Sequence, residues 1–238
     1  MGLASTGDRF HVYDTTLRDG AQQEGLSLSV HDKLAIARHL DELGVGFIEG
    51  GWPGAIPKDT EFFKRAQTEL GLSNASLTAF GATRRPGVRV EDDPLVRALV
   101  EAETPVVTLV AKSHVGHVTR ALRTTLDENL AMVAQTVGFL AGLGRRVFLD
   151  AEHFFDGYRR DPGYALAVVR TAAEAGAELV AVCDTDCGLL PDDVGAIVAA
   201  AERTDHVITV EEHTVIGGLG GAVAEALSEH RPTRGHRI

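Results

Sequence analysis

The chain has 238 residues, 44% hydrophobic and 24% charged, with mean hydropathy near zero, a balance that excludes general disorder. Its 23 Lys and Arg against 34 Asp and Glu leave a net charge of −11, which repels phosphate backbones: no nucleic-acid partner is expected, and a small anionic ligand needs a local positive site. Cys183 and Cys187, the only cysteines, imply no disulfide framework, and neither a long apolar run nor an apolar leader in MGLASTGDRF is present, so a cytoplasmic chain without a membrane partner is expected.

In chain order, the first predicted strand is Phe10–Asp14. Ser29 and Asp32 make a capping pair ahead of Ile36, Leu40 and Leu43, whose i, i+4, i+7 spacing predicts a helix ended by Gly44, with a strand at Val45–Glu49 behind it. Ser76–Phe80 and Pro105–Val110 read as the next two strands. Thr125 opens a helix with Leu130, Val133, Val137 and Leu140 on one face, and Gly144 ends it before the strand Arg146–Asp150. Asp161 and Pro162 supply an N-cap and N1 pair for a helix through Ala165, Val168 and Ala172, and Gly176 precedes the strand Glu178–Cys183. Pro191 starts a further helix, and Val207–Val210 is the last predicted strand. Strands alternating with helices imply parallel β/α units. A doubly wound sheet is the competitor, but no G-x-G-x-x-G follows the first strand. The expected fold is therefore α/β, a TIM-barrel type (β/α)8, for which 238 residues are slightly short because such barrels run to about 250 residues.

Polar residues stand at the carboxyl end of strand after strand: Tyr13 to Asp19, Glu49, Lys112, Asp150 with Glu152, and Asp184 to Asp186. In a barrel these ends meet at one mouth, where enzymes of this shape place their sites. Single members can be caps or turns; the repetition of acids together with Arg and Lys points to chemistry. Arg18 beside Asp19 reads either as a surface salt bridge or as a metal-ligand carboxylate next to a cation for an oxyanion. Phe154, Phe155, Tyr158 and Tyr164 read as packing under a loop rather than as a pocket, and His114 and His117 as surface histidines rather than metal ligands.

Five tracts in order, YDTTLRDGAQQEG, IEGGWPGAIPKD, AKSHVGHVTRALRTTLDENLAMV, FLDAEHFFDGY and AVCDTDCGLLPDDV, resemble the barrel family of isopropylmalate, homocitrate and citramalate synthases and hydroxymethylglutaryl-CoA lyase, over about residues 10 to 203. EGGWPG with DAEHFFDGY favours the citramalate branch. The resemblance implies a Claisen-type condensation of acetyl-CoA with pyruvate or a related 2-oxo acid, with a divalent metal, Mg or Mn, and a route to isoleucine. It implies Asp19 as metal ligand, Arg18 at the developing oxyanion, Glu49 holding Arg18, Glu152 in proton transfer, Thr185 at the oxo-acid carboxylate and Gln22 as a substrate contact. The implied partners are these two small molecules and a second copy of the chain, as a homodimer.

The family's seventh strand ends in His-x-His, which completes the metal site. Here the corresponding stretch is HVITVEEHTVIGGLGG, with no such pair. It resembles instead a short carboxy-terminal part of transketolases, without their thiamine-diphosphate machinery. Because the synthase resemblance ends near residue 203, it implies an incomplete barrel of six secure β/α units and an atypical seventh, with a tail at 1–9, the barrel domain at 10–203 and an atypical segment at 204–238. Glu211 and His213, one residue apart, share a face on a strand and with Asp19 can supply a metal's donors; otherwise both serve a strand-to-helix turn. Two other functions remain open, a catalytically impaired remnant or interaction protein, and acyl-CoA lyase chemistry on the same site.

Overall fold

The computed structural model of the chain describes residues 12–186 and the backbone of two later strands. In chain order the elements are β1 (Tyr13–Asp14), α1 (Val30–Leu43), β2 (Phe47–Glu49), α2 (Pro57–Glu69), β3 (Ser76–Ala82), α3 (Pro94–Glu101), β4 (Val106–Lys112), the single turn α4 (Val115–His117), α5 (Leu126–Gly142), β5 (Arg146–Glu152), α6 (Phe154–Arg160), α7 (Pro162–Glu174) and β6 (Leu179–Val182). The strands β7 (His206–Thr209) and β8 (Arg234–Arg237) follow.

Local chemistry sets these boundaries. The Ser29 hydroxyl accepts from the Asp32 N–H at 3.2 Å while the Asp32 carboxylate accepts from the Ser29 N–H at 2.8 Å, a complete capping box for α1. Gly44, at φ 89°, ends that helix in the left-handed conformation, which glycine enters without steric penalty. Thr125 caps α5 by accepting from Glu128 N–H, and Asp161 caps α7 by accepting from Tyr164 N–H with Pro162 behind it.

Six strands pair in parallel in the order β1-β2-β3-β4-β5-β6, each joined to the next through a helix-bearing crossover. Alternation divides the side chains between two faces. Ile48, Ala79, Val107, Leu109, Val147, Leu149 and Ala151 join the large core under the helices, to which Phe62, Leu99, Val137 and Val168 also belong. On the opposite face Phe47, Val106 and Phe148 form a second cluster with Tyr13 and Leu179. The Arg146 guanidinium lies 5.2 Å from the Phe47 ring and 5.6 Å from that of Phe148, at the amino-terminal end of β5. The inner face is therefore apolar at the amino-terminal end of the strands and polar at their carboxyl ends.

Phe154, Phe155 and Tyr164 are buried in the helix-side core, as the packing reading expects. Between α1 and α2, Lys33 and Asp59 form a buried ion pair at 2.5 Å, and the other oxygen of Asp59 accepts from Trp52 N–H at 2.9 Å. Gly51 sits at φ 139°, and a Cβ there would stand 2.5 Å from Asp59 Oδ2. These constraints fasten the EGGWPG loop to the two helices beside it.

The strand bounds differ from those predicted: among the described residues β1 begins at Tyr13, β3 and β4 extend to Ala82 and Lys112, and β6 is shorter, from Leu179 to Val182. β7 pairs in parallel with β8, a strand not predicted, in a separate two-stranded sheet with His206 opposite Arg234. The helix predicted from Pro191, and Glu211 and His213, lie outside the described residues. Among the described residues no helix is long and apolar enough to cross a membrane.

Candidate active site

The polar end of the inner face is organised around one arginine. Arg18, in the turn after β1, donates from Nε to Glu49 Oε2 at 2.5 Å and from Nη1 to Asp19 Oδ1 at 3.0 Å, while its Cζ lies 4.0 Å from the centre of the Phe80 ring. Glu49, the last residue of β2, is completely buried, and its other oxygen accepts from the Tyr13 hydroxyl at 2.7 Å. The Tyr13 oxygen also lies 2.6 Å from the Thr108 hydroxyl on β4. The arginine is thus fixed by a carboxylate that Tyr13 of β1 holds in turn, with the Tyr13 hydroxyl itself placed by Thr108 of β4, which preorganises the arginine's charge.

Burial raises the Glu49 carboxyl above its usual range, against the pull of the Arg18 charge and the Tyr13 hydrogen bond. Burial, followed by the Glu49 charge, likewise pushes the Tyr13 phenol well up. Burial alone would lower the guanidinium of Arg18, but Glu49 first, then Asp19 and Asp150, raise it. Asp150, two residues before the end of β5, is pushed up to about 7, first by burial and then by the Glu49 charge, with Arg18 opposing and Glu152 adding.

The second half of the site lies where β4, β5 and β6 end. Lys112 pairs with Glu152 across the β4–β5 register, and the buried Ser113 hydroxyl donates to the Glu152 carbonyl at 2.6 Å. Asn129 on α5 donates to the Lys112 carbonyl at 2.9 Å. His153 adopts φ 53°, uncommon for a side chain with a Cβ, and its N–H donates to the Thr185 hydroxyl at 2.9 Å. The His153 Nδ1 lies 3.4 Å from carboxylate oxygens of both Asp156 and Asp186. Burial, followed by His153 and His114, lowers His117. Burial, then Asp150 and Glu152, raises the Cys183 thiol far beyond the range of a reactive nucleophile.

Of the expected site residues, Arg18, Asp19 and Glu49 form one connected group, and Glu152 and Thr185 lie on the β5–β6 side. Asp150 feels the charges of Glu49, Arg18 and Glu152 and so links the two halves. Gln22 is exposed in the turn Gly20–Gln22, its N–H bonded to the Asp19 carbonyl. The sequence places Tyr13 and Asp150 among the polar strand ends without a particular role, and does not single out Thr108, Phe80 or His153. The available signal was the i, i+2 spacing of Asp150 and Glu152, which puts both on one strand face.

The described residues do not assemble a metal site on Asp19. Its carboxylate pairs with Arg18, and the groups spaced to share an ion are His117 with Glu152 and His153, and His153 with Asp156 and Asp186. Among the described residues Asp19 is therefore one donor of such a set, and an ion held through so few protein oxygens keeps several waters and draws the rest of its shell from substrate.

Parallel β/α units with their charged groups gathered at the strands' carboxyl ends define a TIM-barrel type scaffold, which among the described residues is an incomplete barrel with six strands in its main sheet. The chain belongs to the HMGL-like family, which it matches over residues 9–228. It is 65% identical over 192 residues to an (R)-citramalate synthase of Streptomyces coelicolor and 52% identical over 187 residues to one of Aquifex aeolicus, covering 81% and 79% of this chain. It spans only 36% and 35% of those two proteins' lengths. A 2-isopropylmalate synthase of Synechococcus is 32% identical over 94% of this chain, which covers 41% of that protein. In fold the chain is similar to the HMG-CoA lyase of Brucella melitensis, with a TM-score of 0.69 at 17% identity, covering 96% of this chain and 81% of the lyase.

Proposed function

We propose that the chain carries the acid-base and anion-binding half of an acyl-CoA condensing enzyme of the citramalate synthase kind, joining acetyl-CoA to pyruvate or a related 2-oxo acid. The observation that carries this reading is the Arg18 guanidinium, held by buried Glu49 at the mouth of the strands and close enough to the Asp150 carboxyl for each to feel the other's charge, with Glu152 acting on Asp150 from the other side. It is supported by the 65% identity to an (R)-citramalate synthase.

In such a reaction a base removes a proton from the thioester methyl group, and the resulting enolate carbon forms a bond to the 2-oxo carbon. The carbonyl electron pair moves onto oxygen, which takes up a proton, and water then hydrolyses the thioester to release free CoA. Arg18 supplies fixed positive charge for the oxygen as it becomes anionic. Asp150, with a pKa of about 7, can hold or give up a proton at neutral pH, and Glu152, paired with Lys112, is the second carboxyl in proton transfer. Thr185 accepts from His153 N–H and keeps its own hydroxyl proton for the acid's carboxylate, and Gln22 contacts substrate from the turn. For the implied divalent metal, Asp19 is the one donor of the set among the described residues. The homodimer remains part of the proposal, since among the described strands β1 and β6 are open edges of the main sheet that a second copy can cover.

The test is incubation of the whole chain with acetyl-CoA, pyruvate and Mg²⁺ or Mn²⁺, followed by a free-thiol assay. CoA release that depends on pyruvate supports the reading. Absence of release from chain shown to be folded by circular dichroism favours the second reading, a scaffold that binds without turnover, to which the unassembled donors around Asp19 point. Acetyl-CoA formed from a 3-hydroxyacyl-CoA would indicate lyase chemistry instead.

A further inference from the structure

The ends of β4 and β5 bring together two imidazoles and a carboxylate that the reaction above does not need as a group. His117, Glu152 and His153 each offer one ligand atom, all within 4.8 Å of one another, and none of the three is fully exposed. The His117 and His153 rings stand edge to face with centroids 4.5 Å apart. The neighbouring His114 ring, 4.6 Å from that of His117, is excluded as a donor, because its Nδ1 already accepts from Gly116 N–H at 3.0 Å. That bond places the remaining proton of a neutral ring on the other nitrogen.

The backbone around these groups is fixed from both strands. The buried Ser113 binds the Glu152 carbonyl, and Gly157 brings the first turn of α6 so close that a Cβ there would stand 2.6 Å from the Ser113 carbonyl oxygen. His153 is held in its left-handed conformation by the Thr185 hydroxyl. Such strain in a residue with a Cβ persists only where the surroundings over-determine it, and it concentrates at functional positions. Asp156 and Asp186 approach the His153 ring at Nδ1, the arrangement in which a carboxylate orients a metal-ligating imidazole through its second nitrogen. The Glu152 oxygen that accepts from Lys112 is Oε2, and Oε1 is the second donor atom of that carboxylate.

We propose that His117, Glu152 and His153 form a divalent-cation site, distinct from one at Asp19, that selects a borderline-soft ion of the zinc class over Mg²⁺. Two imidazoles and one carboxylate are a donor set for Zn²⁺ with a fourth position open, whereas Mg²⁺ prefers oxygen. The site does not rest on the condensation reading, because its occupancy is read by binding alone.

Co²⁺ is the probe, since four-coordinate Co²⁺ with nitrogen donors absorbs in the visible and octahedral aqueous Co²⁺ does so only weakly. The whole chain, titrated with Co²⁺ in an excess of Mg²⁺, is expected to develop visible bands that one equivalent of Zn²⁺ abolishes. His117→Ala and His153→Ala are each expected to weaken Co²⁺ binding more than about 100-fold, beyond the range of losses from the residues around a metal's ligands. Asp19→Asn is expected to leave the bands intact. If an alanine variant does not fold by circular dichroism, His117→Gln and His153→Gln take its place. Absence of visible bands, bands that Mg²⁺ prevents, unchanged affinity in folded His117 and His153 variants, or loss of the bands in folded Asp19→Asn would each overturn the proposal. A failed thiol assay with the Co²⁺ bands present would count against the condensation reading alone.

Discussion

Arg18 and Glu49 are 31 residues apart in sequence, yet the Arg18 Nε lies 2.5 Å from Glu49 Oε2, with the glutamate side chain 1% and the arginine 17% exposed. The strand end buries one charge so that the other stays fixed at the edge of solvent. An arginine tied in this way loses less freedom when an anion arrives than one free to swing.

Replacing that carboxylate while keeping its shape tests the arrangement. Glu49→Gln leaves Arg18 without a buried counter-charge, and is expected to destabilise the chain by roughly 3 kcal/mol, the lower end for a broken buried pair because Arg18 is partly solvated. Thermal or urea unfolding monitored by circular dichroism measures it.

Arg18→Lys keeps a positive charge but loses the planar fork that spans Glu49 and Asp19. If the condensation reading holds, the rate of CoA release at saturating pyruvate should fall about 10²- to 10³-fold, the usual effect of losing one donor to a developing oxyanion. A change confined to the KM for pyruvate would reassign Arg18 to ground-state binding.

Asp150 makes stability depend on pH with a defined sign. Its carboxyl holds a proton in the folded chain up to about 7, whereas in the unfolded chain it ionises near pH 4. Across that interval the folded state binds more protons, so this residue's contribution falls as pH rises from about 4 to about 7 and levels off above. Asp150→Asn should remove that decline, so its Tm advantage over the wild type should grow across the same interval. Parallel pH profiles of the two proteins would contradict the assignment.

Gly157→Ala places a methyl group 2.6 Å from the Ser113 carbonyl oxygen, which is backbone and cannot rotate away. A loss of about 1 to 3 kcal/mol is expected from overpacking, together with weaker Co²⁺ binding as α6 moves off the end of β4. Equilibrium unfolding and the Co²⁺ titration read the two effects separately.

The local features were legible in the sequence because short-range chemistry decides them. The Ser29–Asp32 box, the Thr125 and Asp161 caps and the Gly44 stop involve residues at most four apart. Strand ends were less so, since Lys112 and Glu152 belong to strands only because β4 and β5 pair through them. Arg18, Asp19, Glu49, Glu152 and Thr185 could be named because they lie in motifs. The link from Tyr13 to Glu49 and Thr108 depends on which strands are neighbours and in what register, and so does the burial that raises Asp150. No pattern within one strand carries that information. His153 was passed over for the same reason: its left-handed backbone and its nearness to His117 arise from the meeting of β4, α6 and the end of β6.

The central claim, that the Arg18–Glu49–Asp150–Glu152 mouth condenses a thioester with a 2-oxo acid, is tested most directly by following carbon. Pyruvate labelled with ¹³C at its oxo carbon is incubated with acetyl-CoA, Mg²⁺ or Mn²⁺ and the whole chain, and observed by NMR. The account predicts that the ketone signal gives way to a tertiary alcohol carbon, with one thiol released for each carbon converted and neither change in Arg18→Ala. An unchanged ketone signal in folded chain, or conversion that survives in Arg18→Ala, would contradict it.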